Sequence, residues 1–187
     1  ADCCVLLESL AILLNVIGGS PKRREILREK QSDHILKALQ MGELVSGTGL
    51  NQEKGLCRPG DTRWGSHLKT ISNVFALFDS ILDVLDVIGE FCDSSELVKV
   101  EKLAYTMRTF DFVFIGQLMI TMLGITSELS LALQKRDQDI VNAIDLVEAT
   151  RRSLRQSRAI GWEADLETVQ LFVVNDEFSV PPMRDCS

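Results

Sequence analysis

The sequence predicts an all-α protein, a bundle-like domain built from long amphipathic helices. Apolar residues recur at intervals of three and four along most of the 187-residue chain, which is the spacing of one helix face. Glycines and prolines gather in a few short stretches that separate these periodic segments. No stretch shows a convincing strand pattern, so we expect helices throughout.

The first two helices are predicted over residues 2–17 and 22–41. The first is apolar on almost every side, which indicates burial against more than one neighbour, and two consecutive glycines end it. Ser20 and Pro21 then form a strong start signal, because serine caps a helix and proline fits its first position. Mixed charges on the second helix are typical of a solvated face with ion pairs; a nucleic-acid-binding surface is the alternative.

A crossover and a long central helix come next. Residues 42–60 contain five glycines and a proline, which predicts a looping connection. Asp61 and Thr62 are suitable caps for the helix that follows. Its apolar residues keep the three-and-four spacing as far as Ile88, so a single long amphipathic helix is predicted.

The remaining chain predicts further helices and a tail. Residues 96–135 form a strongly apolar region of one helix or two, whose methionines and phenylalanines are expected to fill a core. Residues 137–160 repeat the amphipathic pattern, and a glycine–tryptophan pair is predicted to separate them from a last short helix over 163–172. Four residues of the 137–160 segment are predicted to face inward: Ile140, Ile144, Val147 and Leu154.

These patterns suggest four parts. They are an N-terminal helical pair at 1–41, the Gly-rich crossover at 42–60, a helical domain at 61–174 and an extended or disordered tail at 175–187. The chain begins with alanine instead of methionine, which predicts that it is part of a longer protein.

Composition limits the classes of function. The net charge of −7 argues against a protein whose whole surface binds nucleic acid, although local basic patches are compatible with it. The N-terminal apolar run is too short to span a bilayer and lacks signal-peptide features, so we expect a soluble protein with no membrane partner. Five scattered cysteines and two histidines lack zinc-site spacing, so no metal or other cofactor is predicted.

No pattern predicts an active site within the chain. Phosphate-binding loops, nucleophile elbows and zinc-protease motifs are missing from the sequence. Its carboxylates fall on helices at solvent spacing, without the strand ends that usually hold catalytic metal ligands. His34 lies among charges and is predicted to be a surface residue. We therefore expect neither enzyme activity nor a small-molecule substrate.

Arg63 and Trp64 form the strongest candidate site. An arginine at a helix start can reach a phosphate, helped by the free backbone amides, and a tryptophan offers a flat face for an unstacked base. His67 lies one turn further on about the same face. The alternative is structural: the tryptophan packs between crossover and core, and the arginine pairs with a carboxylate. Spacing alone favours this alternative.

Residues 47–67, with the sequence GTGLNQEKGLCRPGDTRWGSH, resemble eukaryotic hAT-superfamily transposase-like proteins. More closely they are similar to the plant group of TTF-type or MYM-type-1-like zinc-finger proteins. The resemblance covers nearly the whole chain. It includes LLNVIGGSPKRREILRE at 13–29, the segment that begins ELSLALQK at 128–140 and the closing FSVPPM at 178–183.

This resemblance implies the helical insertion of an RNase H-like transposase and a nuclear protein. The family's catalytic aspartates and glutamate would lie outside this chain, so no residue is assigned a catalytic role. The first helix would pack on the RNase H-like core. The family's Arg-Trp pair matches Arg63 and Trp64: the arginine would contact phosphate, the tryptophan would stack on a displaced base, and His67 would add a weak contact.

Charge clustering adds a separate hypothesis about the DNA backbone. Six basic residues on two predicted helices would guide it: Lys22, Arg23, Arg24, Arg151, Arg152 and Arg155. The rival interpretation, favoured by the acidic net charge, is a domesticated helical module that binds proteins or a second copy and not nucleic acid.

Overall fold

The computed structural model describes residues 3–42, 55–60, 64–135 and 139–174. Within these ranges the regular structure consists of seven α-helices without strands, which confirms the predicted all-α class. The helices are α1 (Cys3–Val16), α2 (Pro21–Gln40), α3 (Trp64–Ala76), α4 (Phe78–Phe91), α5 (Ser94–Met107), α6 (Phe110–Leu133) and α7 (Ile140–Val174). Most of the predicted crossover, the predicted caps Asp61 and Thr62, and the predicted tail lie outside the described residues.

The chain divides into two compact units. The N-terminal unit comprises Asp2–Pro59 and Lys69–Met107, and the C-terminal unit comprises Gly60–Leu68 and Arg108–Ser187. The start of α3 therefore belongs to the C-terminal unit, whereas the rest of this helix belongs to the N-terminal unit.

Helix α4 is the centre of the N-terminal unit, where it packs against both α2 and α5, and α1 packs against α5. Its apolar residues recur every three or four positions, so two sides of the helix can be covered. Ile81 and Val84 are fully buried and Leu85 is nearly so. The predicted start of α2 is confirmed, because the hydroxyl of Ser20 accepts a hydrogen bond from the Arg23 amide and Pro21 is the first helical residue.

The prediction of one long central helix is wrong. Leu77 separates α3 from α4, with φ of −112° and ψ of 14°. Its amide donates to the carbonyl oxygens of both Asn73 and Val74, and its side chain is 2% exposed. Burying Leu77 therefore accompanies a local departure from helical backbone angles, for which the sequence contains no glycine or proline signal.

Helices α6 and α7 pack against each other in the C-terminal unit. The apolar region at 96–135, which was predicted as one helix or two, forms two helices, α5 and α6. Thr109 caps α6, because its hydroxyl accepts a hydrogen bond from the Phe112 amide at 3.3 Å. The predicted break at Gly161 is wrong: α7 runs through it for 35 residues. A mid-helix glycine costs only about 1 kcal/mol, which the residues on both sides can offset.

Part of the apolar surface is less covered than predicted. In α1, Leu6, Leu10 and Leu13 are buried, whereas Val5, Leu7 and Ile12 are 46, 40 and 44% exposed, so α1 is not covered on every side. In α7 the predicted inward orientation is wrong for three residues, and only Leu154 is half-buried. The exposed three are Ile140, Ile144 and Val147.

Helix α6 also has the length and apolar character of a membrane span. It has 24 residues, a best-window mean hydropathy of 1.6, and 22% of that window is buried. The bent pair of α1 and α2 meets the same criteria when the two are taken together. Core helices of soluble proteins also meet them, so the expected lack of a membrane partner stays a prediction.

Candidate nucleic-acid interface

The start of α3 carries the predicted DNA-contacting motif. Arg63 lies outside the described residues, and Trp64, the first residue of α3, is described by its backbone alone. The Ser66 hydroxyl accepts from the Gly60 amide and donates to the Gly60 carbonyl oxygen, both at 3.0 Å. This reciprocal pair ties the first turn of α3 to the residue that ends the crossover.

The same turn lies against α6. A Cβ atom added to Gly65 would be 3.6 Å from the Ser127 hydroxyl, an ordinary contact distance, and Gly65 itself is exposed. His67 is half-buried one turn into the helix. At Gly65 the first turn of α3 therefore lies close to α6, and the missing side chain keeps the backbone of this residue accessible.

Arg23 is engaged within the N-terminal unit. Its two terminal nitrogens donate to the two carboxylate oxygens of Glu96 at 2.7 Å each, and Nη1 also donates to the Val16 carbonyl at 3.0 Å. Three of the five guanidinium N–H groups are thus used inside the chain. The hydrogen bond with Glu96 raises the pKa of Arg23 and lowers that of Glu96. Its geometry is that of a structural ion pair joining the starts of α2 and α5.

Lys22 and Arg24 differ from Arg23. Both are exposed, and neither pairs with a carboxylate among the described residues. They are the members of this cluster whose charges face solvent and can act on an external anion.

The arginines of α7 fall into two groups. Arg151 and Arg155 border a groove of about 450 Å³, together with Arg158, which the sequence hypothesis did not include. Arg152 is exposed, lies outside the groove lining and donates from Nε to the Glu148 carbonyl at 3.4 Å. Among side chains that the structure describes, the remaining lining residues are Leu118, Met122, Leu154, Ser157 and Asp165.

The predicted site residues are distributed over both units. The Trp64 backbone and His67 belong to the C-terminal unit together with Arg151, Arg152 and Arg155. The remaining three, Lys22, Arg23 and Arg24, belong to the N-terminal unit. The motif and the arginines of α7 thus share one compact unit, a grouping that sequence separation does not reveal.

His34, predicted to be a surface residue among charges, keeps a side-chain exposure of 36% and contacts a second helix. Its Nε2 lies 3.1 Å from Oδ2 of Asp83 on α4, and Lys30 Nζ approaches the same oxygen at 3.9 Å. These contacts join α2 to α4 and leave His34 half-buried. No sequence signal identifies this cluster, because it forms only when two segments 49 positions apart pack together.

Comparison with protein-family models, with curated proteins and with solved structures found no match for this chain. The relationship to hAT transposase-like proteins accordingly stays a prediction based on the motif strings.

Proposed function

We propose that this chain is a helical, non-catalytic part of an hAT transposase-like nuclear protein and that it holds DNA at the start of α3. The observation that carries the proposal is the sequence Asp-Thr-Arg-Trp at residues 61–64, immediately before and at the start of α3. Backbone amides at a helix start favour a phosphate, and exposed Arg152 of α7 adds positive charge to the same unit.

In this proposal Arg63 binds a phosphate, Trp64 stacks on a displaced base and His67 adds a weaker contact. Arg152, exposed in the same unit, would guide the DNA backbone. Lys22 and Arg24 are exposed in the N-terminal unit, where a separate backbone contact stays a hypothesis. Arg23 contributes little, because Glu96 holds its guanidinium. Arg151 and Arg155 border an apolar groove and are not required for this role.

The first test compares DNA with a flipped-out base at a hairpin junction against a plain duplex. Trp64→Ala should reduce the ratio of the affinities for the flipped-base junction and the plain duplex about tenfold. Stacking one base on an aromatic ring is worth about 1–3 kcal/mol. Trp64→Phe should keep part of it. Trp162→Ala, which changes the chain's other tryptophan, is the control. Fluorescence anisotropy at several salt concentrations measures the affinities.

The salt dependence tests the phosphate contact separately. Arg63→Gln should reduce the slope of log affinity against log salt by about one, because one fewer counterion is released. If the wild-type chain binds the junction no better than an equally acidic helical protein does, the DNA proposal is wrong.

A protein-interaction module is the second candidate, favoured by the exposed apolar start of α7. Ile140, Val141, Ile144 and Val147 are 79, 69, 57 and 48% exposed. Contiguous apolar residues of this kind mark protein-binding surfaces. This candidate gains support if DNA binding fails and the same residues bring about self-association.

A further inference from the structure

The groove between α6 and α7 combines an apolar floor with a basic rim. Leu118 and Met122 of α6 and Leu154 of α7 supply apolar surface, and Met122 is 39% exposed. All of the lining residues belong to the C-terminal unit. A groove of about 450 Å³ has room for several large side chains of a partner.

The rim is a regular row of positive charge. Arg151, Arg155 and Arg158 stand at positions i, i+4 and i+7 of one helix, so they lie along one stripe about 10 Å long. All three are exposed, and none pairs with a carboxylate among the described residues. Their guanidinium groups are therefore available to an anionic partner.

We propose that this groove binds an acidic amphipathic helix of a protein partner. The apolar floor loses its contact with water only when a partner covers it with apolar side chains. Carboxylates at i, i+4 and i+7 on that partner would face the three arginines, and arginine suits carboxylates because it can bind both oxygens at once. This proposal is independent of the DNA role at α3.

Charge complementarity and the apolar floor together favour a protein helix over DNA at this place. A DNA backbone would satisfy the arginines but leave Leu118, Met122 and Leu154 without an apolar partner. The chain's net charge of −7 also repels DNA outside local basic patches, whereas an acidic helix needs only the short arginine row.

Asp165 defines one end of the site. Its carboxylate accepts a hydrogen bond from the Thr121 hydroxyl at 3.4 Å, which holds a negative charge within the groove lining. A partner carboxylate placed there would be repelled. We expect the partner's acidic stripe to end before Asp165 and a basic or neutral residue to stand opposite it.

The test uses the 187-residue chain and two synthetic helical peptides of about 20 residues, a length at which helices form in water. One peptide carries glutamates at i, i+4 and i+7 beside leucines at i+1, i+5 and i+8. The control peptide has the same composition, with its glutamates on the opposite face. Fluorescence anisotropy should show at least about tenfold tighter binding of the first peptide.

Variants of the chain locate the binding site. Arg155→Glu should weaken binding of the first peptide about tenfold, because it places a glutamate opposite the peptide's glutamates. Arg152→Glu makes the same change in net charge outside the groove and should have little effect. Met122→Gln should also weaken binding by reducing apolar contact. A peptide with lysine opposite Arg155→Glu should recover affinity, which a general loss of folding would not allow.

Three results would overturn the proposal. The first is equal weakening by Arg152→Glu and Arg155→Glu, which indicates unspecific charge attraction. The second is equal affinity for both peptides. The third is preferential binding of hairpin DNA, or of vesicles of anionic lipid, with the same dependence on Arg155 and no peptide binding. Failure of the Trp64 experiment leaves this proposal unaffected, because the groove variants do not involve α3.

Discussion

Arg23 and Glu96 stand 73 positions apart and meet through two hydrogen bonds of 2.7 Å. Sequence clustering placed Arg23 with Lys22 and Arg24 as a DNA contact, because local charge does not reveal a distant carboxylate. The structure distinguishes the three: Arg23 turns toward Glu96 while its neighbours face solvent. When candidate DNA contacts are chosen from charge alone, their ion-pair partners in the folded protein must be identified before a role is assigned.

Removing the Glu96 carboxylate tests this pair. Glu96→Gln should lower the free energy of unfolding at neutral pH by about 1 kcal/mol. A bidentate, half-buried ion pair stabilises a protein more than an ordinary surface pair does. Urea unfolding followed by circular dichroism measures this loss. Glu25→Gln, which removes one partner of exposed Arg28, should cost less than about 0.5 kcal/mol.

The same variant has a predicted pH dependence. Because Arg23 lowers the pKa of Glu96, the pair's stabilisation is fully present above the usual pKa of 4.5 and is lost as pH falls through the lower folded value. The difference between wild type and Glu96→Gln should thus be constant near neutrality and shrink in acid. A difference that grows in acid would contradict this explanation.

At the scale of helices, periodicity was informative, whereas break signals were correct at some positions and wrong at others. The Ser20–Pro21 start was predicted because its signal is local: the serine hydroxyl accepts a hydrogen bond from the backbone amide three residues later. The break at Leu77 was missed, because it depends on burying that side chain in a packed unit. Gly161 gave the opposite error, since a glycine interrupts a helix only when its surroundings also favour a break.

Gly161→Ala should stabilise α7. Alanine exceeds glycine in helix propensity by about 1 kcal/mol, and a new Cβ atom would lie 3.0 Å from the Ser157 hydroxyl, which can rotate away. We expect a gain of about 0.5–1 kcal/mol in the free energy of unfolding. The pair Ser157→Ala and Gly161→Ala should gain at least as much as Gly161→Ala alone. If Gly161→Ala destabilises α7 with Ser157→Ala present, crowding by the serine is not the cause.

At the scale of the whole molecule, the net charge of −7 coexists with a concentrated arginine row on α7. From the sequence, two arginines of this row, Arg151 and Arg155, and the motif at the start of α3 were proposed as sites. The sequence did not show that Gly65 lies close to α6 or that Leu118 and Met122 form a groove floor. Those features depend on which helices pack together, which periodicity does not determine.

Exposed apolar residues at the start of α7 predict self-association of the chain. Ile144→Lys places a charge on this surface, and because Ile144 is exposed the substitution should not disturb the core. It should lower the self-association measured by light scattering while the circular dichroism spectrum stays unchanged. Val98→Lys changes a similarly exposed residue on α5 and serves as the control. Equal effects of the two substitutions would indicate general solubility instead of a specific surface.

The division of the N-terminal unit into two sequence segments affects how the chain emerges from the ribosome. Helix α1 ends at Val16, but its partner α5 is complete only at Met107. At synthesis rates of about 5–20 residues per second, α1 spends roughly 5–18 s without that partner. During this interval the leucines of α1 are exposed and can bind chaperones. The order of translation therefore favours binding of the nascent chain by a chaperone.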